Sequence, residues 1–339
     1  MQKLLVAAAL VTLGTAALAN DSTASTGAGG LVLERTDAIE MASEDLYVSA
    51  EQIRIRYVFR NRTARDVMTI VAFPMPDRDL SQEYGQDVAY PHSFKTRVAG
   101  VPVTATLERK AMLKGRDYSA LLQRLRVPIA TETDIGPTHF MDALPPAQKA
   151  ELIRLGLAGE EEYDDDGKGM KKHLIPLWTL RDKYWWRQTF PAGRDVVVEH
   201  RYVPGVGGSV ESPIAFRELR SSDDLKWARQ NYCVDEQFMT AVDRLSLKPA
   251  VQRGTNTPRN PTQGPGMPDR RIDYILTTGA NWARPIGSFR LVVDKGKPGN
   301  LVSFCETGVK KISPTQYEVR HRNWRPTRDL HVLIIEPQR

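Results

Sequence analysis

The chain has 339 residues, of which 41% are hydrophobic and 26% are charged, and its formal net charge is +6. At roughly 150 residues per domain, this length suggests about two domains. The mild positive charge permits attraction to an anionic envelope surface but does not demand a nucleic-acid partner, and we expect none.

Residues 1–19 have the pattern of a cleavable export signal. Lys3 supplies a positive start, residues 4–13 are apolar, and Ala17-Leu18-Ala19 fits the small-x-small cleavage rule. This apolar run is too short to span a bilayer stably, and no later segment approaches the ~20 apolar residues that a span requires. We therefore expect cleavage near Ala19-Asn20, no membrane span, and a periplasmic or secreted mature protein.

The next part of the chain is typical of β-strands. A small, polar lead-in at 21–30 is expected to be mobile. In the cleanest strand, Ile53, Ile55, Tyr57 and Phe59 alternate with polar residues, so one face is core and the other is wet. The strand patterns of this part lie at 31–35, 46–49, 53–60, 67–73 and, as a hairpin-like pair, 94–107.

From 110 to 184 the pattern changes to that of a helical insertion. Residues 118–125 read as a helix halted by Pro128, and a second helix opens at Pro145-Pro146 and carries on to about 155. An acidic, solvated loop is expected at 160–166. Strand patterns return at 185–190 and 196–203, and a glycine-rich loop at 205–208 marks the predicted domain boundary.

The last part combines one helical segment with five strands. A helix or helix pair starts at 221–224 and continues to 245, and an exposed loop follows at 249–268. The final run, 332–335, is apolar on both faces, so it should be a central, covered strand. Strand patterns separated by turns lie at 272–278, 289–294, 301–305, 317–321 and 330–335.

These patterns predict a mostly-β fold with two antiparallel β-sandwich-like lobes. The N-terminal lobe covers 20–208 and contains the helical insertion 110–184. The C-terminal lobe covers 209–339 and opens with the short helical segment.

The chain has two cysteines, Cys233 and Cys305. In an exported protein the simplest interpretation is a disulfide that ties the helical segment to a strand. Two buried free thiols are the alternative.

Signatures of metal, nucleotide and hydrolase sites were sought without a full match. The glycine-rich 205–210 has valine where a dinucleotide fingerprint needs its third glycine. Residues 162–167 resemble the start of a calcium loop, but His173 stands where a bidentate glutamate is required. We expect no cofactor and no metal site.

Aromatic and arginine residues are the first candidate for a binding surface. An exposed ring flanked by arginines could stack on a sugar or seat a protein partner. Because neighbours on a strand point to opposite faces, one of Trp185 and Trp186 should be core and the other exposed or covered by the insertion. Packing of these rings in the core is the alternative. The candidate residues are Trp178, Arg181, Tyr184, Trp185, Trp186, Arg187, Trp282 and Trp324.

A basic outer face near Asn61 is the second candidate. It could dock on an anionic lipid or glycan, whereas pairing with the acids Glu34, Asp37, Glu40 or Glu44 on a neighbouring strand is the simpler interpretation. The arginines concerned are Arg54, Arg56, Arg60, Arg62 and Arg65.

Two functions fit these observations. The first is a non-enzymatic envelope module that binds a protein or glycan. The second is an envelope hydrolase acting on glycan or peptide, in which His200 or His321 works with a carboxylate from the insertion. A buried, hydrogen-bonded histidine would explain either position without catalysis.

Several phrases of the sequence, in their order, resemble one uncharacterised family of exported bacterial proteins, domain of unknown function 4424. The resemblance implies a periplasmic or secreted protein and brings no known activity, ligand or catalytic residue. A weaker resemblance links the first half to the vault/inter-alpha-trypsin type of β-sandwich. The phrases that carry the family resemblance lie at 40–45, 56–61, 71–74, 190–193, 200–202, 232–233, 274–282 and 303–305.

Overall fold

The computed structural model describes residues 20–27, 30–82, 93–130, 141–164, 167–215, 223–246 and 267–337. The predicted export signal, the first two residues of the predicted helix at 221–245 and nearly all of the predicted loop at 249–268 lie outside the described residues.

The fold is mostly β, as predicted, with two groups of helices, and the strand pairs of its sheets are antiparallel except for one parallel pair. The helices are α1 (Ser119–Arg124), α2 (Pro146–Arg154), α3 (Asp223–Tyr232) and α4 (Glu236–Ser246). The strands are β1 (Ser22–Gly27), β2 (Gly30–Glu34), β3 (Ile39–Val48), β4 (Ile53–Asn61), β5 (Val67–Pro74), β6 (Arg78–Asp79), β7 (Lys95–Val98), β8 (Val101–Val103), β9 (Thr106–Leu113), β10 (Arg116–Asp117), β11 (Ala158–Tyr163), β12 (Lys171–Pro176), β13 (Thr179–Phe190), β14 (Asp195–Tyr202), β15 (Val206–Ser209), β16 (Asp269–Tyr274), β17 (Ile286–Asp294), β18 (Leu301–Phe304), β19 (Lys310–Lys311), β20 (Gln316–Trp324) and β21 (Leu330–Ile335).

The strands of the described residues form four sheets. A seven-stranded sheet has the order β10-β9-β13-β5-β1-β2 with β6 beside β13, and an eight-stranded sheet has the order β19-β20-β17-β3-β4-β14-β7-β8. A four-stranded sheet has the order β15-β16-β21-β18, and β11 and β12 form a two-stranded ribbon. The central, covered position predicted for 330–335 is confirmed, since β21 lies between β16 and β18 and is buried along nearly its whole length.

One large core joins the inner faces of the three larger sheets. The predicted inward residues of β4, such as Tyr57 and Phe59, are fully buried there. They pack with residues of the seven-stranded sheet, such as Phe73, and of the four-stranded sheet, such as Ile272. The opposite face of the eight-stranded sheet, here called the outer face, carries the charged residues that alternate with this core.

The eight-stranded sheet contains strands from both sides of the predicted boundary at 205–208. β17 pairs in parallel with β3, and Leu291 lies opposite Leu46 with both side chains fully buried. The two predicted lobes therefore share a sheet, and the domain boundary at 205–208 stays a prediction.

A β-bulge shapes this junction. The pairing of β3 with β4 shifts between Met41 and Ser43, so the inward positions change from odd to even numbers along β3. Gly287 of β17 lies against the bulge, where a Cβ atom would be 2.6 Å from the carbonyl oxygen of Ala42. The predicted strand 46–49 is therefore only the end of a ten-residue strand.

The predicted mobile lead-in at 21–30 is wrong where the structure describes it. Ser22–Gly27 form β1, which pairs with β2 and β5. Small polar residues fit this buried position because their hydroxyl groups have backbone partners, as when Thr23 Oγ1 donates to the carbonyl oxygen of Glu34 at 2.8 Å.

The insertion contains the two predicted helices, but it is not wholly helical. α1 and α2 pack around Leu122, Leu152 and Trp178 in a separate small core. Residues 160–163 of the predicted acidic loop at 160–166 are strand, because β11 pairs with β12, and Glu162 lies directly opposite Lys172. Residues 165 and 166 lie outside the described residues.

The second helical group packs on the four-stranded sheet. Leu225 and Val242 of α3 and α4 share a core with Leu333 and Ile335 of β21. The predicted disulfide is present between Cys233 and Cys305, with the Cα atoms 5.0 Å apart. It links the end of α3 to the end of β18.

Candidate anion-binding face

Most of the predicted aromatic candidates lie in the interior. The Trp178 ring donates from Nε1 to the carbonyl oxygen of Ile129 at 2.9 Å, and the Trp282 ring donates to that of Asp21 at 2.7 Å. The N–H groups of these two indole rings therefore have hydrogen-bond partners, and the rings are not accessible to a ligand. The buried members of the predicted set are Trp178, Tyr184, Trp186 and Trp282.

The other candidates do not form one exposed patch with them. Trp185 points away from Trp186, as predicted, but it is covered by the β1–β2 hairpin rather than by the insertion. Arg181 donates to Asp77 at 2.7 Å, and Arg187 is exposed. Trp324 is half-buried against Phe289. Their role in binding stays a prediction.

Both histidines of the hydrolase hypothesis have carboxylate partners, but neither partner comes from the insertion. Nε2 of His200 lies 3.2 Å from both carboxylate oxygens of Asp21, and both side chains are fully buried. Nε2 of His321 lies 3.0 Å from Oε2 of Glu306. A substrate has no surface of His200 to approach.

The outer face of the eight-stranded sheet holds an open cavity of about 1070 Å³. It is lined by residues of β3, β4, β7, β14, β17 and β20. Six lining residues are cationic (Arg54, Arg56, Lys95, Arg97, Arg201 and Arg290) and three are acidic (Asp45, Glu51 and Glu199). The cavity is therefore electropositive.

One row across this cavity consists of adjacent cations. Arg201 of β14 lies directly opposite Arg54 of β4 on one side and Lys95 of β7 on the other. Residues directly opposite each other in antiparallel strands project from the same face with their Cβ atoms about 5 Å apart. Like charges in such positions are destabilising. This row is here called the cation row.

In the neighbouring row, charges of opposite sign alternate from β17 to β7. The alternation ends at β20, where Arg320 lies directly opposite Arg290, but the arginines of this row have acidic neighbours. Arg290, for example, lies 3.1 Å from Asp45 and 2.8 Å from Glu318. In strand order the row reads Arg290, Asp45, Arg56, Glu199 and Arg97.

A tyrosine ends the cation row. The guanidinium carbon of Arg54 lies 4.2 Å from the ring centroid of Tyr47, its cross-strand neighbour. The Tyr47 hydroxyl donates to Asp294 at 3.1 Å. Partial burial, and then this carboxylate, raise the pKa of Tyr47 above its usual range. The ring orients the Arg54 guanidinium without neutralising its charge.

The predicted basic face near Asn61 is divided by the structure. Arg54 and Arg56 line the cavity. Arg60 donates to Asp195 at 2.7 Å, and Arg62 donates to Glu40 at 2.6 Å. Near the end of β4, the arginines therefore pair with acidic residues. Binding of an anionic lipid or glycan remains an interpretation for Arg54 and Arg56 in the cavity.

Four cations of the cavity were not predicted from the sequence, namely Lys95, Arg97, Arg201 and Arg290. Period two alone places Arg201 on the wet side of its strand, beside the inward residues His200 and Tyr202. Its position opposite Arg54 needs the pairing of strands about 140 residues apart, which no local pattern contains.

A second cavity of about 330 Å³ lies beside the four-stranded sheet. Its wall includes Trp227, which is 45% exposed, and the guanidinium carbon of Arg271 lies 5.4 Å from that ring. The sequence offered Trp185 or Trp186 as an exposed ring beside an arginine. In the structure, Trp227 has this arrangement.

Comparisons with known proteins give the following matches. The family described as domain of unknown function DUF4424 matches residues 19–333. No curated protein matches the chain. A solved structure from Legionella pneumophila, described as a "putative nutrient binding protein", is similar over 94% of this chain and 70% of that chain, with 15% sequence identity and a TM-score of 0.45. Within the described residues, no helix is long and apolar enough to cross a membrane.

Proposed function

The chain belongs to the uncharacterised DUF4424 family, and we propose that its function is to bind a chain-like anionic ligand, such as an acidic glycan, on the outer face of the eight-stranded sheet. The cation row carries this proposal. Arg54, Arg201 and Lys95 stand side by side on three neighbouring strands in a concave surface.

Like charges on neighbouring strands repel each other when no ligand is bound. For scale, two unit charges about 4 Å apart repel by about 1 kcal/mol in bulk water. A carboxylate or phosphate opposite Arg201 would replace two repulsions by attractions and could accept two parallel hydrogen bonds from an arginine. The row thus gains stability from an anion.

The form of the cavity favours an extended anion over a flat surface. Neighbouring strands are about 4.8 Å apart, so three strands span roughly 10 Å. This length suits successive charged groups along an oligosaccharide. A bilayer would contact the rim of a concave surface more readily than its floor.

Residues 1–19 and the disulfide between Cys233 and Cys305 support action outside the cytoplasm. The first have the composition of an export signal, and disulfides persist in oxidising compartments. Acidic glycans are abundant at bacterial surfaces, so export and anion binding fit one role.

The test compares an acidic with a neutral oligosaccharide of the same length. Calorimetric titration with tetragalacturonate should show binding that weakens as salt is raised, whereas maltotetraose should not bind. The double variant Arg54→Gln with Arg201→Gln should lose at least tenfold in affinity, about 1.4 kcal/mol. Arg60→Gln is the matched control, since it removes one cation of β4 that is already paired with Asp195.

Three results would count against the proposal. They are unchanged affinity in the double variant, equal binding of maltotetraose, and binding of vesicles of anionic phospholipid in preference to the glycan. The last result would instead indicate membrane docking. Hydrolysis of the acidic probe during the titration would favour the hydrolase hypothesis.

A further inference from the structure

Asn20, the residue that follows the predicted cleavage site, is fully buried in a polar cluster. Its backbone nitrogen donates to Oγ1 of Thr278, and its Nδ2 donates to Oε2 of Glu44 at 3.0 Å. Its Oδ1 accepts hydrogen bonds from the hydroxyl groups of Tyr57 and Tyr274. Four separate elements of the fold thus hold one residue in place.

The space around Asn20 is closely fitted. Gly279 lies beside it, and a Cβ atom at that position would be 2.8 Å from Nδ2 of Asn20. The next residue, Asp21, is also fully buried. The first two described residues, Asn20 and Asp21, therefore lie in the core and not on the surface.

The cluster contains more acidic than basic groups. Asp21 and Glu44 are its carboxylic acids, and His200 is the one basic side chain that contacts either of them among the described residues. Oε1 of Glu44 is buried and has no hydrogen-bond partner in the part of the chain that the structure describes. Burial raises the pKa of Glu44 to about 8, against the opposing hydrogen bond from Asn20.

A buried carboxylate without a partner is expensive, so proteins supply a cation or keep the acid protonated. His200 serves Asp21, and Glu44 has no such partner among the described residues. The cluster therefore has a place for one further positive charge close to Asn20.

We propose that cleavage before Asn20 supplies this charge, and that the new α-ammonium group of Asn20 forms a buried ion pair with Glu44. A leader peptidase would hydrolyse the peptide bond with water, leaving a carboxylate on the leader and an amine on Asn20 that takes up a proton. Removal of the leader would then supply the positive charge that balances the Glu44 carboxylate in the core. The proposal depends on cleavage before Asn20 and not on anion binding at the cation row.

The titratable groups around the Asn20 nitrogen determine the expected pH dependence. They are Asp21, Glu44, Tyr57, His200 and Tyr274, and the two tyrosines stay neutral because burial raises their pKa well above the usual value. Without the ammonium group, the pKa of Glu44 is about 8 when folded against 4.5 ordinarily, so stability falls as pH rises from about 4.5 through 8. With it, Glu44 is ionised and paired, and this loss becomes smaller.

The experiment compares two forms of the mature chain from 20 to 339, one with a free Asn20 amine and one with Gly-Ser added before Asn20. The free form should melt several degrees higher at pH 7, and the difference should grow from pH 5 to pH 8. The same pair is made with Glu44→Gln, in which the difference between the two forms should largely disappear. This double-mutant cycle distinguishes loss of the ion pair from steric disruption by the added Gly-Ser as the cause of a lower melting temperature.

A second measurement does not need the extended form to fold. In the native free form, the α-amine should react with an acylating reagent at least tenfold more slowly than in the urea-unfolded chain, as read by mass spectrometry of the N-terminal peptide. Equal melting temperatures in the two forms, a difference that survives Glu44→Gln, or a fully reactive native amine would each overturn the proposal. So would a natural mature chain that starts at a residue other than Asn20.

Discussion

Arg201 of β14 lies directly opposite Arg54 of β4 on the outer face of the eight-stranded sheet. Cross-strand neighbours of opposite charge are stabilising, and the adjacent row alternates in sign from β17 to β7, although Arg290 lies opposite Arg320 at β20. The inner faces of these strands are packed core, so the two arginines cannot turn inward. The ligand-free fold therefore keeps two like charges on neighbouring strands.

Removing one cation of this row should therefore stabilise the ligand-free protein. We expect Arg201→Gln to raise the free energy of unfolding by about 1 kcal/mol at low salt, because it abolishes two repulsive neighbours. For a chain of this size that corresponds to roughly 2 °C in Tm. The gain should vanish at high salt, where exposed charges are screened.

Arg60→Gln provides the contrast in the same melting experiment. Arg60 makes two hydrogen bonds to Asp195, at 2.7 and 2.9 Å, so its loss should lower Tm rather than raise it. If Arg201→Gln also lowers Tm at low salt, the cation row is not repulsive and the argument from it fails.

Sequence patterns revealed much of this sheet but not its assembly. The inward residues of β4 were predicted because Ile53, Ile55 and Tyr57 keep an unbroken period of two. β3 was mostly missed for two reasons. The bulge after Met41 shifts the alternation of inward and outward residues by one position, and Glu44 is a buried acid at a core position. A local pattern cannot distinguish such a residue from a solvent-exposed one.

The candidate site shows the same limit. Arg54 and Arg56 were identified because they lie within one clean strand, whereas Arg201 and Lys95 join them only through long-range pairing. The sequence offered both an exposed and a core position for the aromatic candidates. The burial of Trp178, for example, depends on the packing of the insertion helices around it. Tertiary contacts decide these positions.

The disulfide should contribute strongly to stability. Cys233 and Cys305 are 72 residues apart, and chain-entropy arguments give about 4 kcal/mol for closing such a loop. We expect the double variant Cys233→Ser with Cys305→Ser to lose about this free energy in urea unfolding. The reduced natural protein should unfold like the double variant. If reduction leaves its unfolding curve unchanged, the link contributes nothing measurable.

The parallel pairing of β17 with β3 should make the two predicted lobes unfold together. Leu291 is fully buried at this junction, opposite Leu46, and its replacement by alanine should cost about 3 kcal/mol. In calorimetry, Leu291→Ala should shift a single transition of the whole chain. Two transitions, of which only one moves, would show instead that the lobes are independent.

The ion pair between His331 and Asp273 should give a pH-dependent contribution to stability. Nδ1 of His331 lies 2.6 Å from Oδ1 of Asp273, directly across β21 and β16. This hydrogen bond raises the pKa of His331 above its usual value of 6.5. Because the folded pKa is the higher one, the contribution is complete below about 6.5 and is lost as pH rises through the folded pKa. Both side chains are partly exposed, so the contribution should not exceed about 1 kcal/mol.

Asp273→Asn tests this pair. Urea unfolding should show a larger loss of stability at pH 5.5 than at pH 8.5, because only the protonated histidine gains from the carboxylate. His331→Gln is the matched variant, since it removes the titrating group while Asp273 remains. In that background, Asp273→Asn should have the same effect at both pH values. A loss that is independent of pH in the natural background would mean that the two side chains contribute through packing or a neutral hydrogen bond and not through charge.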